Sequence, residues 1–459
     1  MARTYALIRI LAHIAAPLSV ALVPMIAHAQ TTEELAAIVE PEAESGAFMG
    51  AALVARGNEV ILDAAWGEAN LEWNIANTTD TKFRIGSVTK QFTAVSLLLL
   101  QERGALALDD PLSKHYPEAP EAWGAITLRN LLRHTSGIPN VTDLPAFAKI
   151  SRTPISQDDL IGLFRDLPLE FEPGSKWSYS NSGYVVLSRV IENASGQSYS
   201  EFVEANLFDA IGMEATAVDV TARIVPKRAA GYSPSQEGRI NAPYADMGIP
   251  TGAGALYSTT GDLLKWQRAV FGGQVLSQES LDEYLTPTSQ PAFREFKYAH
   301  GITVGKTENG TIYWHGGGIE GFNSWLGHDP DREVTVVVLA NLNGASADEL
   351  GMQLMTLAQG GTITQPGERK TVEVDPAILP QYEGVYALSP AFKITVTHEK
   401  GRLFAQATGQ NRFELYPESK DRFFLKVVDA QIRFDRGADG AVSGLTLFQN
   451  GVKQAAAKE

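Results

Sequence analysis

Hydrophobic and polar positions change rhythm several times along this 459-residue chain. Residues 51–56 and 59–64 are short apolar runs separated by Gly57-Asn58, a spacing that predicts a tight β-hairpin. Far downstream, residues 311–314, 323–327 and 333–340 repeat the short-strand pattern between glycine-rich and Asp329-Pro330-Asp331 turns. We expect the two clusters to share one antiparallel sheet, with the helical patterns, caps and loops between them packed around it. One stretch runs from near Ser87 to a stop at Gly104 with apolar residues on all sides, which predicts a buried central helix. From about residue 360 to 375 the pattern turns polar and reads as a linker. Beyond it, short strands are expected at 392–398, 402–407, 412–416, 422–428, 431–434 and 442–448. Turns such as Lys400-Gly401 and Ala438-Asp439-Gly440 separate them, the pattern of a small all-β barrel or sandwich.

The first thirty residues read differently. Arg3 and Arg9 precede an apolar run over residues 10–26, broken by Pro17 and Pro24, and Ala27-His28-Ala29 has the small-x-small pattern of a cleavage site. Residues 1–29 are therefore expected to be a signal peptide, which implies a periplasmic or secreted bacterial protein. No other stretch is expected to meet a membrane. The formal charge of −15 disfavours binding to nucleic acid or anionic lipid. Cysteine is absent, which excludes disulfides and a thiol nucleophile. His115, His300, His328 and His398 lie in separate segments without metal-ligand spacing, and no phosphate-binding or dinucleotide glycine pattern occurs. Neither metal nor cofactor is expected. The expected partner is a small-molecule or peptide substrate.

Three short motifs carry candidate chemistry. In Ser87-Val88-Thr89-Lys90, residues three apart share a helix face, so the hydroxyl and the amine can meet. A serine needs a base to take its proton, and a desolvated lysine can be that base. The start of a helix also presents free backbone N–H groups to a developing oxyanion. In Tyr179-Ser180-Asn181, a phenol can relay protons and an amide can bind a substrate carbonyl. In His315-Gly316-Gly317-Gly318, glycines let a substrate backbone lie against a strand edge, and the Gly318 N–H can complete an oxyanion hole. His134, within Arg133-His134-Thr135-Ser136-Gly137, reads as a framework residue rather than a base. The loops over residues 139–152 and 234–249 are candidates for lining the substrate pocket.

These motifs, in this order, resemble the serine β-lactamase and penicillin-binding-protein superfamily. The likeness is to the branch of class C β-lactamases, D-Ala-D-Ala carboxypeptidases, D-aminopeptidases and family VIII esterases. Residues 83–90, 126–138, 179–184 and 252–259 carry it, and it covers roughly residues 35 to 355. It implies a β-lactamase-like α/β (α+β) domain over residues 30–360, an antiparallel sheet flanked by helices with a helical subdomain. A linker over 361–375 and a barrel over 376–459 follow. The barrel, opening at Tyr382-Glu383-Gly384-Val385-Tyr386, resembles appended lipocalin-like modules. The resemblance implies an acyl-enzyme mechanism with Ser87 as nucleophile and Lys90 and Tyr179 as base and acid. Asn181, His315, Gly317 and Gly318 would bind substrate. One departure stands out: many β-lactamases carry Lys-Thr-Gly where this chain has His315-Gly316-Gly317. A fractionally charged histidine is a weaker clamp for a carboxylate, which tilts the expectation from β-lactams towards esters or peptides. Loss of turnover, leaving a cell-wall-peptide binder, is the alternative.

Overall fold

Residues 50–56 and 334–340 are apolar or β-branched almost throughout, the composition of strands buried on both faces. The computed structural model describes residues 31–459 except 237, 293–295, 308, 364–368, 390–391, 429, 438 and 450–451. The expected signal peptide and part of the expected linker lie outside the described residues. Among those described, seven strands form the main sheet: β1 (Gly50–Arg56), β2 (Glu59–Trp66), β3 (Lys297–Tyr298), β4 (Thr303–Thr307), β5 (Gly310–Ile319), β6 (Phe322–Asp329) and β7 (Val334–Ala340). Their spatial order is β3-β4-β5-β6-β7-β1-β2, so the two sequence clusters do share one antiparallel sheet. β1 joins them by pairing with β7 from Gly50↔Ala340 to Arg56↔Val334.

Successive strand side chains point to opposite faces, so these inner strands feed two cores. Ala51, Leu53, Val337 and Leu339 enter one, and Ala52, Val54, Val336 and Val338 enter the other. Five helices pack on the sheet or border the Ser87 region: α1 (Thr32–Glu44), α2 (Thr89–Glu102), α3 (Asn181–Ser195), α4 (Thr260–Phe271) and α5 (Ala347–Ala358). α1 and α5 cover one face through Leu35, Val39, Leu350 and Leu354. On the other face lies α2, with every residue from Thr89 to Leu100 buried. Phe92 of α2 stacks on Trp266 of α4 at 3.9 Å between ring centres. The helix begins slightly later than its pattern suggests. Ser87 occupies a single 3-10 turn, Gly86–Val88, and the α-helix starts at Thr89. At the other end Gly104, with φ 69°, ends the helical path.

The C-terminal part is a closed barrel of eight described strands: β8 (Gly384–Ser389), β9 (Phe392–Glu399), β10 (Arg402–Ala407), β11 (Arg412–Pro417), β12 (Arg422–Phe424), β13 (Ala430–Arg436), β14 (Val442–Gln449) and β15 (Val452–Lys458). β15 closes it by pairing with both β14 and β8. The strand expected over 422–428 ends early, at Phe424. Part of the expected linker is held against the barrel: Arg369 pairs with Glu418, and the Val372 N–H donates to the Pro417 carbonyl.

A small three-stranded sheet, Phe83–Arg84, Leu256–Ser258 and Ala217–Val218, delivers the chain to the Ser87 turn. Beside it Asp219, fully buried, accepts from Arg84 Nε at 2.7 Å and Arg228 Nη1 at 2.6 Å. Two mostly buried guanidiniums depend on this one carboxylate. Removing its charge strands both, a loss of about 3 kcal/mol. Asp219→Asn is therefore expected to lower the denaturant midpoint of the cooperative unfolding transition, and an unchanged midpoint would show that the two arginines are not held by it.

Candidate active site

The Ser87 turn exists because Gly86 adopts φ 47°, in the left-handed region that favours glycine. A Cβ on Gly86 would also lie 2.9 Å from the Gly318 nitrogen, so the turn rests directly on strand β5. One turn into the helix, Lys90 is completely buried. Its Nζ lies 2.9 Å from Ser87 Oγ, 2.8 Å from Asn181 Oδ1 and 2.7 Å from the Ala253 carbonyl oxygen. No carboxylate pairs with it among the described residues. Burial without a counter-charge holds its pKa well below the ordinary lysine value.

Tyr179 reaches the same hydroxyl from the opposite side, its phenol donating to Ser87 Oγ at 2.9 Å. Burial raises the phenol's pKa, so it stays protonated across the physiological range. Asn181 opens α3, which places its side chain against Lys90. His134 supports this segment: the Ser180 N–H donates to its Nδ1 at 3.2 Å, and its ring lies 4.3 Å from that of Tyr179. Burial, with Lys90 and His315 nearby, keeps His134 neutral. A framework role fits these contacts, as the sequence suggested.

The third motif lies on an open strand edge. β4 follows β5 only as far as the Thr303↔Trp314 pair, which leaves residues 315–319 of β5 without a described strand on that side. On the other side β5 and β6 are joined by the two-residue turn Glu320-Gly321 between Ile319 and Phe322. Hydrogen-bonded and non-hydrogen-bonded pairs alternate from such a turn, so Gly318 and Gly316 point their N–H and C=O groups to the open edge. The nearness of Gly86 to the Gly318 nitrogen and oxygen agrees with that orientation. Gly317 leaves no room for a side chain, because a Cβ there would fall 2.1 Å from the Ile85 carbonyl oxygen.

His315 is neutral rather than fractionally cationic. It is buried, with Nε2 2.9 Å from Tyr298 Oη and Nδ1 2.5 Å from the Gly316 carbonyl oxygen. Burial first, and Lys90 second, push its pKa down to about 3. It brings no positive charge to a substrate carboxylate.

Ser87 sits between two cavities. The first, about 460 Å³, is lined by Asn181, by Val141, Thr142, Phe147 and Ser151 of one loop, and by Ala245, Asp246 and Ile249 of another. Both loops are those the sequence offers as pocket walls. The second cavity, about 650 Å³, runs along β5 past Tyr179, Phe296, Trp314, His315 and Trp325. Two participants carry no sequence signal of their own. Ala253 contributes only a main-chain oxygen, although it lies within the stretch 252–259 that carries the family resemblance. Tyr298 is a single tyrosine on a two-residue strand. No group of side chains suited to holding a metal ion occurs among the described residues, and no described helix is long and apolar enough to cross a membrane.

The comparisons with known proteins agree with this arrangement. Residues 35–359 match the family described as Beta-lactamase, and residues 368–457 match one described as a domain of unknown function (DUF3471). The chain is 29% identical to "Penicillin-binding protein 4*" of Bacillus subtilis, over 93% of this chain and 98% of that one. It is 26% identical to the D-stereospecific amidohydrolase from Streptomyces sp., with a TM-score of 0.61, covering 72% of this chain and 99% of the other. The octameric penicillin-binding protein homologue from Pyrococcus abyssi, at 23% identity, shares the fold with a TM-score of 0.68, covering 93% of this chain and all of that one. With its family match spanning the sheet, the buried helix and the Ser87 site, the chain belongs to the beta-lactamase family, whose members are in general serine hydrolases.

Proposed function

We propose that this protein is an exported serine hydrolase that works through an acyl-Ser87 intermediate on esters, amides or β-lactams, with carboxylesterase or D-amino-acid peptidase-type activity favoured. One observation carries the reading: Ser87 Oγ lies 2.9 Å from both Lys90 Nζ and Tyr179 Oη. A neutral amine has two N–H donors and one lone pair. The Ala253 carbonyl and Asn181 Oδ1 can only accept, so they take the two donors and leave the lone pair for Ser87. Lys90 then receives the Ser87 proton as Oγ attacks the substrate carbonyl. The backbone N–H groups of Ser87 and Gly318 hold the oxyanion. Tyr179, already protonated, donates to the leaving group as the carbonyl re-forms, and the proton held on Lys90 passes to the phenolate, restoring both groups. In the second half water attacks the acyl-serine and gives a proton to the neutral Lys90, which returns it to Ser87 Oγ as the acid product leaves.

The assignment of roles orders the cavities. The leaving group must meet the acid, and of the two cavities Tyr179 lines the larger and not the smaller, so the larger takes the leaving group. The acyl group stays in the smaller one, against Val141, Phe147, Val185 and Ile249. The neutral His315 favours substrates whose leaving group lacks a carboxylate. The basic, apolar leader over residues 1–29 supports export, and the relative named for penicillin binding is compatible with a cell-envelope setting.

Intact-protein mass after treatment with a serine-reactive phosphonate is expected to show one adduct on the wild type and none on Ser87→Ala. Competition by an ester, a D-Ala-D-Ala peptide or a β-lactam identifies the preferred substrate class. No adduct on well-folded wild type would leave a binding protein on the same scaffold. The pH dependence gives a second check. Because the neutral amine is the base and burial lowers its pKa, kcat/KM should rise as pH climbs through that lowered value and then level off. The rising limb should therefore finish well below 10.5, the ordinary lysine value. Lys90→Arg, which stays protonated, should lose about 10²–10⁴-fold in acylation rate; retention of rate would exclude Lys90 as the base.

A further inference from the structure

We propose that Tyr298 is a positioning residue for the oxyanion site, acting through His315 on the three-glycine edge of β5; the proposal rests on the catalytic reading above. Tyr298 and His315 are both buried, and their polar atoms meet at 2.9 Å. The other ring nitrogen of His315 faces the Gly316 carbonyl oxygen at 2.5 Å. A carbonyl can only accept, so Nδ1 carries the hydrogen. In a neutral imidazole Nε2 is then a bare acceptor, and the Tyr298 phenol, which also meets the Tyr184 hydroxyl, is the donor that faces it. The phenol thus selects the one tautomer that can bind Gly316.

That bond matters because of where it falls. Gly316, Gly317 and Gly318 have no side chains to pack, and glycine is the residue with the most backbone freedom to lose. On one side β6 restrains them, through the Gly317↔Ser324 pairing. On the open side β4 has ended, and His315 Nδ1–H is the contact that holds the Gly316 carbonyl. Two residues further, Gly318 N–H must point at the oxyanion position beside Ser87. A preorganised donor stabilises a developing charge without reorienting during the reaction, so restraint of this strand is restraint of the donor. The Tyr298 ring also packs 4.7 Å from His134 and 6.5 Å from Tyr179, contacts that phenylalanine would keep. The hydroxyl is therefore separable from the packing.

The test is a double-mutant cycle on hydrolysis of a neutral reporter ester. Tyr298→Phe, His315→Ala and the double variant are compared with wild type, with melting temperature and phosphonate labelling of Ser87 measured on each. Tyr298→Phe is expected to lower kcat about 10–100-fold, short of deleting an oxyanion donor outright, with KM changed by less than about twofold and labelling still stoichiometric. The double variant should be no slower than His315→Ala when the phenol's hydrogen serves the imidazole rather than the neighbouring Tyr184 hydroxyl. Should Tyr298→Phe unfold, Tyr298→Leu, which also lacks the donor but keeps an apolar side chain, takes its place in the cycle. Multiplying losses in the double variant, or a Tyr298→Phe enzyme as fast as wild type, would overturn the proposal. Wild-type protein that neither labels nor turns over would remove the catalytic reading and this proposal with it.

Discussion

Burying the Lys90 ammonium without a counter-charge would cost several kcal/mol, and much of the structure around it is organised by that constraint. The three polar partners around Nζ come from three separate stretches of chain: the Ser87 turn, the first residue of α3 and the short helix Thr251–Gly254. Each must be held within hydrogen-bond reach by the rest of the fold. Gly252 shows how tightly. A Cβ there would fall 2.5 Å from Ser188 Oγ and 2.8 Å from Thr93 Oγ1, so only a glycine lets this segment wedge between α2 and α3. The long apolar helix, the buried face of α3 and the Asp219 clamp on Arg84 thus position one amine.

The same economy of side chains shapes the other half of the centre. For a backbone N–H to serve an oxyanion at Ser87, β5 must touch the turn, and any side chain on Gly86 or Gly317 would push the two apart. Glycine solves the approach and creates a second difficulty, a strand edge with little to stiffen it. The hydrogen bonds of β6, the wall formed by Ile85 and the His315 contact with Gly316 share that task. On this view the histidine that stands in place of a lysine clamp is a structural anchor for the strand rather than a ligand for an anion.

How much of this was legible in the sequence depended on whether a side chain announced it. Ser87 and Lys90 were legible because an apolar helix with no polar face left the lysine nowhere to be solvated. Tyr179, Asn181 and the glycine run stood at recognisable spacings. The Ala253 carbonyl was not legible as a Lys90 partner, because a main-chain oxygen has no residue type. Neither was the neutrality of His315, which depends on burial by distant segments. In the barrel, β15 escaped notice because Val452-Lys453-Gln454-Ala455-Ala456-Ala457-Lys458 is rich in alanine and lysine, poor strand formers. Closure overrides that preference: the segment has an edge waiting on both sides, β14 and β8. The barrel's interior is occupied by Tyr382, Tyr386, Phe423 and Phe434, whose rings pack against one another.

With Lys90 as the proposed base, the chemistry is tied to dryness. The amine accepts a proton from Ser87 only while it is neutral, and desolvation is the cause of its lowered pKa. Water reaching Nζ would restore the ammonium and occupy the lone pair that the serine needs. The ring faces of Tyr179 and Tyr184, 4.9 and 5.3 Å from Nζ, and the neutral imidazoles of His134 and His315 exclude solvent without bringing an anion that would stabilise the charged form. A carboxylate at any of those positions would pair with Lys90 and hold it in the protonated form. On the proposed assignment, neutral aromatic walls belong to the proton chemistry as much as to the packing, and the electrostatic emptiness around Lys90 is what lets a lysine, rather than a histidine, take that role.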